Sequence, residues 1–358
     1  MQGCYLLDGA EFYVAIDNKG PWPNLILLPN GAIAAFIYNH PSHGYGSNSD
    51  LEMWVSADGG RLWQYRSTVS THEEEPDAIR MNHAVGLASN GEIMALVSGY
   101  HAGQKRPFLP TQCCRSSDGG KTWRRHLLPA LADRVPYGRI LALPGDKLVC
   151  ALYCASKDQQ PPLRSVHLYE SGDAGVTWQE RAHLADNVNE TFLMRRKDGV
   201  WMASGRTSVQ ESMDRVLPHG TGERLFLSQD EGQTWDQGRL VSPQGQENAN
   251  LLELQDGRLL YSFTSRIPGL FGVVLRLSAD GGKTWSVTQP LITVPAMDWH
   301  KTDCGYPSSV QLADGTVVTA YYFGPMCGSK PIPGAQGLPW HHRYHMGVAR
   351  WKLSNWPV

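Results

Sequence analysis

The stretch Ser56-Ala57-Asp58-Gly59-Gly60-Arg61-Leu62-Trp63 is one of five copies of an octapeptide. The others begin at Ser116 (SSDGGKTW), Ser171 (SGDAGVTW), Ser228 (SQDEGQTW) and Ser278 (SADGGKTW). Each reads Ser, any, Asp, any, Gly, any, Thr, Trp, and only the first departs, with Leu62 for Thr. Starts 50 to 60 residues apart mark a repeat architecture. The residue types fit a hairpin turn. The Asp can accept hydrogen bonds from backbone amides two residues on, the fifth-position Gly tolerates positive φ, and the Trp covers the hairpin with apolar surface.

Six further stretches lie between the octapeptides, each an apolar strand, a polar-Gly turn and a second apolar strand. Their turn glycines are Gly31, Gly91, Gly145, Gly199, Gly257 and Gly315, 54 to 60 residues apart. Two strands before each octapeptide and two around it give four per repeat. Six such units predict an all-β, six-bladed β-propeller of four-stranded antiparallel blades, a single domain over residues 1–358. The last repeat lacks an octapeptide and ends in HMGVARWKL, while EFYVAI opens the chain unassigned. These two strands are expected to pair and remove an exposed edge.

The bulk numbers are unremarkable. A net charge of −2 with interspersed signs gives no reason to expect nucleic acid or an anionic membrane as partner. Seven cysteines with no metal or redox spacing read as buried or free thiols of a reducing compartment. No stretch reaches the ~20 apolar residues of a membrane span. The start MQGCYLLDGAEF lacks a secretory pattern, so a cytoplasmic protein is expected as written, or a secreted or periplasmic one if a signal was removed. A monomer is expected.

In a propeller the first strand of each blade lines the channel. The residue nine positions before each turn Gly is Trp22, Asn82, Pro136 (or Tyr137), Glu190, Asn248 and Tyr306. The second strands end at the same rim with His40, His101, Arg206, Arg266 and Tyr322. Large polar and ionisable groups thus converge on one rim. His43, His83, His300, His341, His342 and His345 also fall in rim-type segments, as do Trp299 and Trp340. The Gly/Pro-rich segment before HHRYH, which contains Arg343, reads as a wall over the site. Neither HHRYH nor the HEEEP at His72 has zinc spacing, so no metal and no cofactor is expected.

The octapeptide resembles the Asp box of the sialidase (neuraminidase) superfamily, and the resemblance covers nearly the whole chain. It implies a carbohydrate substrate. NETFLMRRKDGVWMASGR resembles the blade-four segment that carries a catalytic Glu and a carboxylate-binding Arg, which implies these roles for Glu190 and Arg206. GYPSSVQLADGTVVTAYY resembles the segment opening on the nucleophilic Tyr, which implies Tyr306. Asp50 falls near the general-acid Asp. A phenol nucleophile suits a sugar whose anomeric carbon bears a carboxylate, because a carboxylate nucleophile would be repelled. Substrate contacts are expected from Arg206, Arg266, Asn248, Asn82, Trp22, His40, His101 and Arg343.

The sequence also departs from that pattern. Blade one has Trp22-Pro23 where the resemblance calls for Arg-Ile-Pro, and His40 and His43 where it calls for a second Arg. An Arg-Ile-Pro occurs instead at Arg266, in blade five. The expected activity is a retaining exo-glycosidase acting on a terminal, acidic sugar; another acidic or a neutral sugar stays open. The alternatives are a polysaccharide lyase or non-sialic glycosidase acting on uronic-acid glycans, and a non-catalytic glycan- or protein-binding propeller.

Overall fold

The computed structural model describes residues 7–41, 49–73, 75–103, 108–155, 164–207, 221–242, 245–267, 269–293, 302–325 and 344–356. In chain order the strands are β1 (Glu11–Asp17), β2 (Asn24–Leu27), β3 (Ile33–Tyr38), β4 (Leu51–Ser56), β5 (Gln64–Thr68), β6 (Ala78–Leu87), β7 (Ile93–His101), β8 (Thr111–Ser116) and β9 (Arg124–Leu128). Then come β10 (Val135–Leu143), β11 (Lys147–Ala155), β12 (Arg164–Ser171), β13 (Gln179–Asp186), β14 (Val188–Arg195), β15 (Trp201–Thr207), β16 (Glu223–Ser228) and β17 (Arg239–Leu240). The last are β18 (Gln246–Glu253), β19 (Leu259–Ser265), β20 (Gly272–Ser278), β21 (Gln289–Thr293), β22 (Thr302–Gln311), β23 (Val317–Pro325) and β24 (His345–Trp351). Among the described residues, helical structure is limited to 3-10 turns such as Pro129–Leu131 and Leu353–Asn355.

The expected all-β class and the strand pattern are both present. Sheets β2–β5, β14–β17 and β18–β21 run in chain order, and a fourth has the order β1-β24-β23-β22. The chain's first strand therefore does pair with its last, antiparallel, from Glu11↔Arg350 to Asp17↔His345. Six separate four-stranded sheets are not what the hydrogen bonding gives. The remaining strands form one eight-stranded sheet, β13-β12-β11-β10-β6-β7-β8-β9. Two four-stranded meanders join there through a short parallel pairing, Gly138↔Ala84 and Arg139↔Val85. The cause is local. β10 shifts register between Pro136 and Ile140, and Gly138 takes φ +75. Gly86, across the join, has no side chain to hold the Ile140 carbonyl away.

The chain divides into two compact units: Met1–Gly44, Trp54–Tyr65 and Gly245–Val358 form one, Tyr45–Met53 and Arg66–Gln244 the other. Each has its own cores. In the first, Leu260, Val273, Leu275, Phe323 and Trp351 pack together, as do Ile16, Leu25, Ile33, Trp63, Val318 and Met346. In the second, Leu96, Cys113, Ile140 and Leu152 form one cluster, and Leu168, Leu193, Trp201 and Phe226 another. Inner strands such as β3 and β19 are buried at every residue, because both of their faces are covered. Outer strands such as β5 carry exposed polar residues, which protects a sheet edge. The described cysteines, Cys113, Cys114, Cys150, Cys154 and Cys304, are free, and all but Cys154 are buried. Cys4 and Cys327 lie outside the described residues.

Every octapeptide forms the turn between the third and fourth strands of its group. The Asp does not bind amides two residues on. Asp58 Oδ1 accepts from the Arg61 and Leu62 amides, three and four on, at 3.1 and 3.0 Å. The opening Ser does more than the sequence reading gave it. Ser56 Oγ accepts the Gly60 amide at 2.8 Å and donates to Asp58 Oδ1 at 2.8 Å. The fifth-position glycine sits at φ +77 to +96 in the five copies: Gly60, Gly120, Gly175, Gly232 and Gly282. Space adds a second reason for glycine. A Cβ on Gly60 would stand 2.9 Å from Val318, and one on Gly175 2.5 Å from Met94. The pattern of an amide two residues on belongs instead to the inner turns, as where Ala32 donates to Asn30.

The seventh-position Thr completes the turn, its hydroxyl donating to the Asp at 2.5 to 2.7 Å in the four copies that have it. Those hydroxyl bonds, with the amide bonds, hold the carboxyls of Asp118 and Asp280 well below the usual range and that of Asp230 at about 2. Unfolded Asp titrates near ~3.9. Folded values below that make a contribution to stability that is complete above about pH 4 and lost as the pH falls toward about 2. Thermal melts are expected to drop below pH 4 on this account, with Asp230→Asn lessening that drop. Leu62 is 73 % exposed and supplies no hydroxyl to Asp58. Leu62→Thr is expected to add about 0.5–1 kcal/mol, a rise of about 1–3 °C in calorimetric Tm; an unchanged or lower Tm would contradict this account of the turn.

Candidate active site

Five of the six rim positions share one backbone feature. Pairing of the first strand with the second breaks register at Arg80/Asn82, Pro136/Ile140, Val188/Thr191, Glu247/Asn250 and Gly305/Ser308. Asn82, Pro136, Glu190, Asn248 and Tyr306 each lie in or at the edge of such a bulge. Bulges re-aim side chains and are frequent beside active sites. Three of the six rim residues also occupy the left-handed region: Trp22 at φ +54, Asn248 at +57 and Tyr306 at +47. For Trp and Tyr this costs about 1–3 kcal/mol each and survives only where surrounding structure enforces it. Enforcement is visible. The Gly20 amide donates to the Tyr38 carbonyl and the Tyr38 amide to the Pro21 carbonyl, both at 3.3 Å. The Tyr306 amide donates to Thr264 Oγ1 at 2.9 Å, and a Cβ on the preceding Gly305 would collide with Thr264.

In the first unit the rim is aromatic. Trp22 lies 5.4 Å from Tyr38, 6.0 Å from Tyr322 and 6.2 Å, edge on, from Tyr306. Tyr306 and Tyr322 are 5.9 Å apart, Tyr344 stacks on Tyr322, and His40 stacks on Tyr38. Tyr38, Tyr322 and Tyr344 are fully buried, whereas Trp22, His40 and Tyr306 keep part of their surface exposed.

Arg266 is enclosed rather than presented to solvent. It is buried, with Nε 2.8 Å from Glu247 Oε1 and Nη1 2.8 Å from Asp303 Oδ1. Tyr322 Oη donates to Asp303 Oδ2 at 2.8 Å. The Nε contact is an ion pair without hydrogen-bond alignment. Burial alone would lower the guanidinium pKa; Asp303 and then Glu247 outweigh it and raise the value well above normal. Two carboxyl groups, those of Glu247 and Asp303, thus already occupy Arg266, which was expected to contact substrate. Asn248, expected at the surface of the site, is fully buried.

In the second unit Glu190 and Arg206 meet directly, Arg206 Nη1 donating to Glu190 Oε2 at 2.9 Å. Arg206 Nε also donates to Thr221 Oγ1 at 3.3 Å. Asp50 is buried and lies 2.8 Å from His72 Nδ1. Burial raises its carboxyl pKa, against the opposing pull of His72 and Arg80. Arg80, fully buried, pairs with Glu75 and donates to the Pro110 carbonyl at 2.8 Å. Asn82 and His101 are part-buried. His83 is buried and held neutral, burial pushing its pKa down to about 4; it is a packing residue, not a rim ligand. His345 is buried too. Arg343, His43, His300, His341, His342, Trp299 and Trp340 lie outside the described residues. No metal-binding cluster is found among the described residues.

Several groups escaped the sequence reading. Glu247 and Asp303 are 19 and 37 residues from Arg266, and no local spacing announces them. His72 was weighed only as a metal ligand. Arg266→Met leaves two buried carboxyls without their cation and is expected to cost about 3–5 kcal/mol in urea denaturation. Arg206→Met, in a partly exposed pair, should cost about 1 kcal/mol. Equal losses would contradict the enclosed setting of Arg266.

Comparison with known proteins follows the same lines. The BNR repeat-like domain model matches residues 42–319. A sialidase of Clostridium perfringens is 22 % identical over 58 % of this chain and 60 % of its own length. The chain spans about three fifths or less of the curated relatives it matches. Among solved structures, a protein of unknown function from Dyadobacter fermentans superposes with a TM-score of 0.73 at 22 % identity, covering 96 % of this chain and 99 % of that one. A Hadza microbial sialidase superposes at 0.70 and 18 % identity, covering 94 % and 66 %. These likenesses show a shared propeller-like fold, and with the repeat match they show that the chain belongs to the BNR-repeat family of the sialidase superfamily.

Proposed function

We propose that the chain is a retaining exo-glycosidase, built as one six-bladed propeller domain in which the eight-stranded sheet counts as two blades. Tyr306 is its nucleophile, Glu190 the base and Asp50 the general acid. Arg206, Trp22, Asn82, His40 and His101 contact the sugar, and Arg266 and Asn248 hold the rim from within. The observation that carries this reading is the recurrent register break. It gives Tyr306 and Glu190 the same place in their respective strands, and it holds Tyr306 in a conformation tyrosine does not adopt unforced.

The chemistry runs in two steps. Glu190 takes the phenol proton as Tyr306 Oη attacks the anomeric carbon, and the glycosidic C–O bond breaks. Asp50 gives its proton to the departing oxygen. Asp50 then takes a proton from water, which attacks the glycosyl–tyrosine bond, and Glu190 returns the proton to the phenol. Burial of Asp50 favours its protonated form, as an acid catalyst requires. The family's carboxylate-bearing sugar draws its support from Arg206. In the first step Glu190 exchanges its pairing with Arg206 for the phenol. If it does not exchange, a non-catalytic glycan-binding propeller is the second reading, with binding intact and turnover absent.

The test is release of the aryl group from a panel of aryl glycosides: a sialoside, a glucuronide and neutral hexosides. Wild type is expected to cleave at least one of them. Tyr306→Phe should lower kcat about 10³-fold or more and Glu190→Gln about 10²-fold or more, with melting curves unchanged. The rate should fall as pH rises through the elevated Asp50 pKa, a limb lost in Asp50→Asn. Full activity in Tyr306→Phe would end this reading.

A further inference from the structure

We propose that the site takes an uncharged sugar ring stacked on Trp22, not a sugar bearing a carboxylate at its anomeric carbon. This rests on the glycosidase reading above and names its substrate class.

The first ground is charge. In the first unit one cation, Arg266, faces two carboxyl groups, Glu247 and Asp303. In the second unit Arg206 is matched by Glu190, and Arg80 by Glu75 with Asp50 close by. Arg266, Arg206 and Arg80 therefore each already have at least one acidic neighbour. A carboxylate arriving beside Arg266 would have to compete with Glu247 and Asp303, which are covalently fixed in place. Arg266 is the poorest target, since its two acidic partners are buried with it. An uncharged ring meets no such competition.

The second ground is the aromatic surface. Trp22 holds the blade-one rim position in left-handed backbone, clamped by the two backbone hydrogen bonds between Gly20–Pro21 and Tyr38. Buried Tyr38 and Tyr322 pack against its ring and fix its orientation, while Trp22 itself remains partly exposed. Glycine or asparagine would occupy this backbone without strain. A tryptophan here needs a reason beyond the turn. The face of an indole carries partial negative charge. It attracts the slightly positive C–H face of a pyranose and repels a carboxylate. The same argument applies to Tyr306, 6.2 Å away and also partly exposed. Aromatic surface plus balanced charge is the environment of a neutral ring.

The experiment uses the full chain. Turnover is measured on 4-nitrophenyl glycosides of galactose, glucose, mannose and 6-deoxyhexoses in both anomers, beside 4-nitrophenyl glucuronide and 4-methylumbelliferyl N-acetylneuraminate. Binding of the matching methyl glycosides is followed by saturation-transfer NMR in Tyr306→Phe, where turnover does not interfere. At least one neutral glycoside is expected to be cleaved, with kcat/KM at least tenfold above that of the glucuronide and the sialoside. Trp22→Ala should raise its KM tenfold or more with kcat within threefold, and Trp22→Phe should restore KM to within about threefold of wild type. Cleavage confined to the sialoside or glucuronide would overturn the inference while leaving the glycosidase reading standing. Trp22-dependent binding of a neutral sugar without cleavage would do the reverse. Failure of every neutral sugar to bind or turn over, or an unchanged KM in Trp22→Ala, would overturn the inference.

Discussion

The site depends on a break in strand pairing repeated at one fixed distance from a glycine. Nine residues separate each inner turn glycine from a rim residue, and at or beside five of these six residues the first strand slips against the second. A slip of this kind adds a residue to one strand without moving the rest of the sheet. The side chain at the slip is then free of the in–out alternation that governs its neighbours. The sheets thus stay tightly packed while Asn82, Glu190, Asn248 and Tyr306 sit at or in these breaks. Asn248 and Tyr306, inside such slips, enter left-handed backbone, and Trp22 does so just before β2 begins, where pairing with β3 keeps its register.

Much of this was legible in the sequence because it is periodic. The octapeptide and the turn glycine set the strand order, and the leftover strands at the two chain ends found each other, Glu11 opposite Arg350. Counting back from the glycine led to the register breaks in five of the six repeats. What stayed hidden has no period. The parallel join at Gly138 and Ala84 links two repeats that look independent in sequence. The partners of Arg266 come from β18 and β22, neighbours in space but not in the chain. Asn248 looked like a surface ligand because residue type alone does not reveal burial. In the octapeptide the Asp was recognised but the Ser was undervalued, since the hydroxyl's double role depends on the turn's geometry.

Charge pairing is the ground on which we propose an uncharged sugar. A site that clamps an anion needs guanidinium groups held without acidic partners, or with partners that can leave. Here Arg266 is enclosed by Glu247 and Asp303, and Arg206 is joined to Glu190. Blade one supplies an indole where a guanidinium would be expected. Family membership and the shared fold are consistent with all of this, because a propeller keeps its scaffold while its rim residues change.

The central claim is that Tyr306 attacks the sugar. An activated fluorosugar matched to whichever glycoside is cleaved would slow breakdown of the covalent intermediate, and intact-protein mass followed by peptide mapping would locate it. The account predicts one fluorosugar per chain, attached to the Tyr306 phenol and absent in Tyr306→Phe. A label on a carboxylate such as Glu190 or Asp50, or steady turnover with no covalent sugar at any residue, would contradict it.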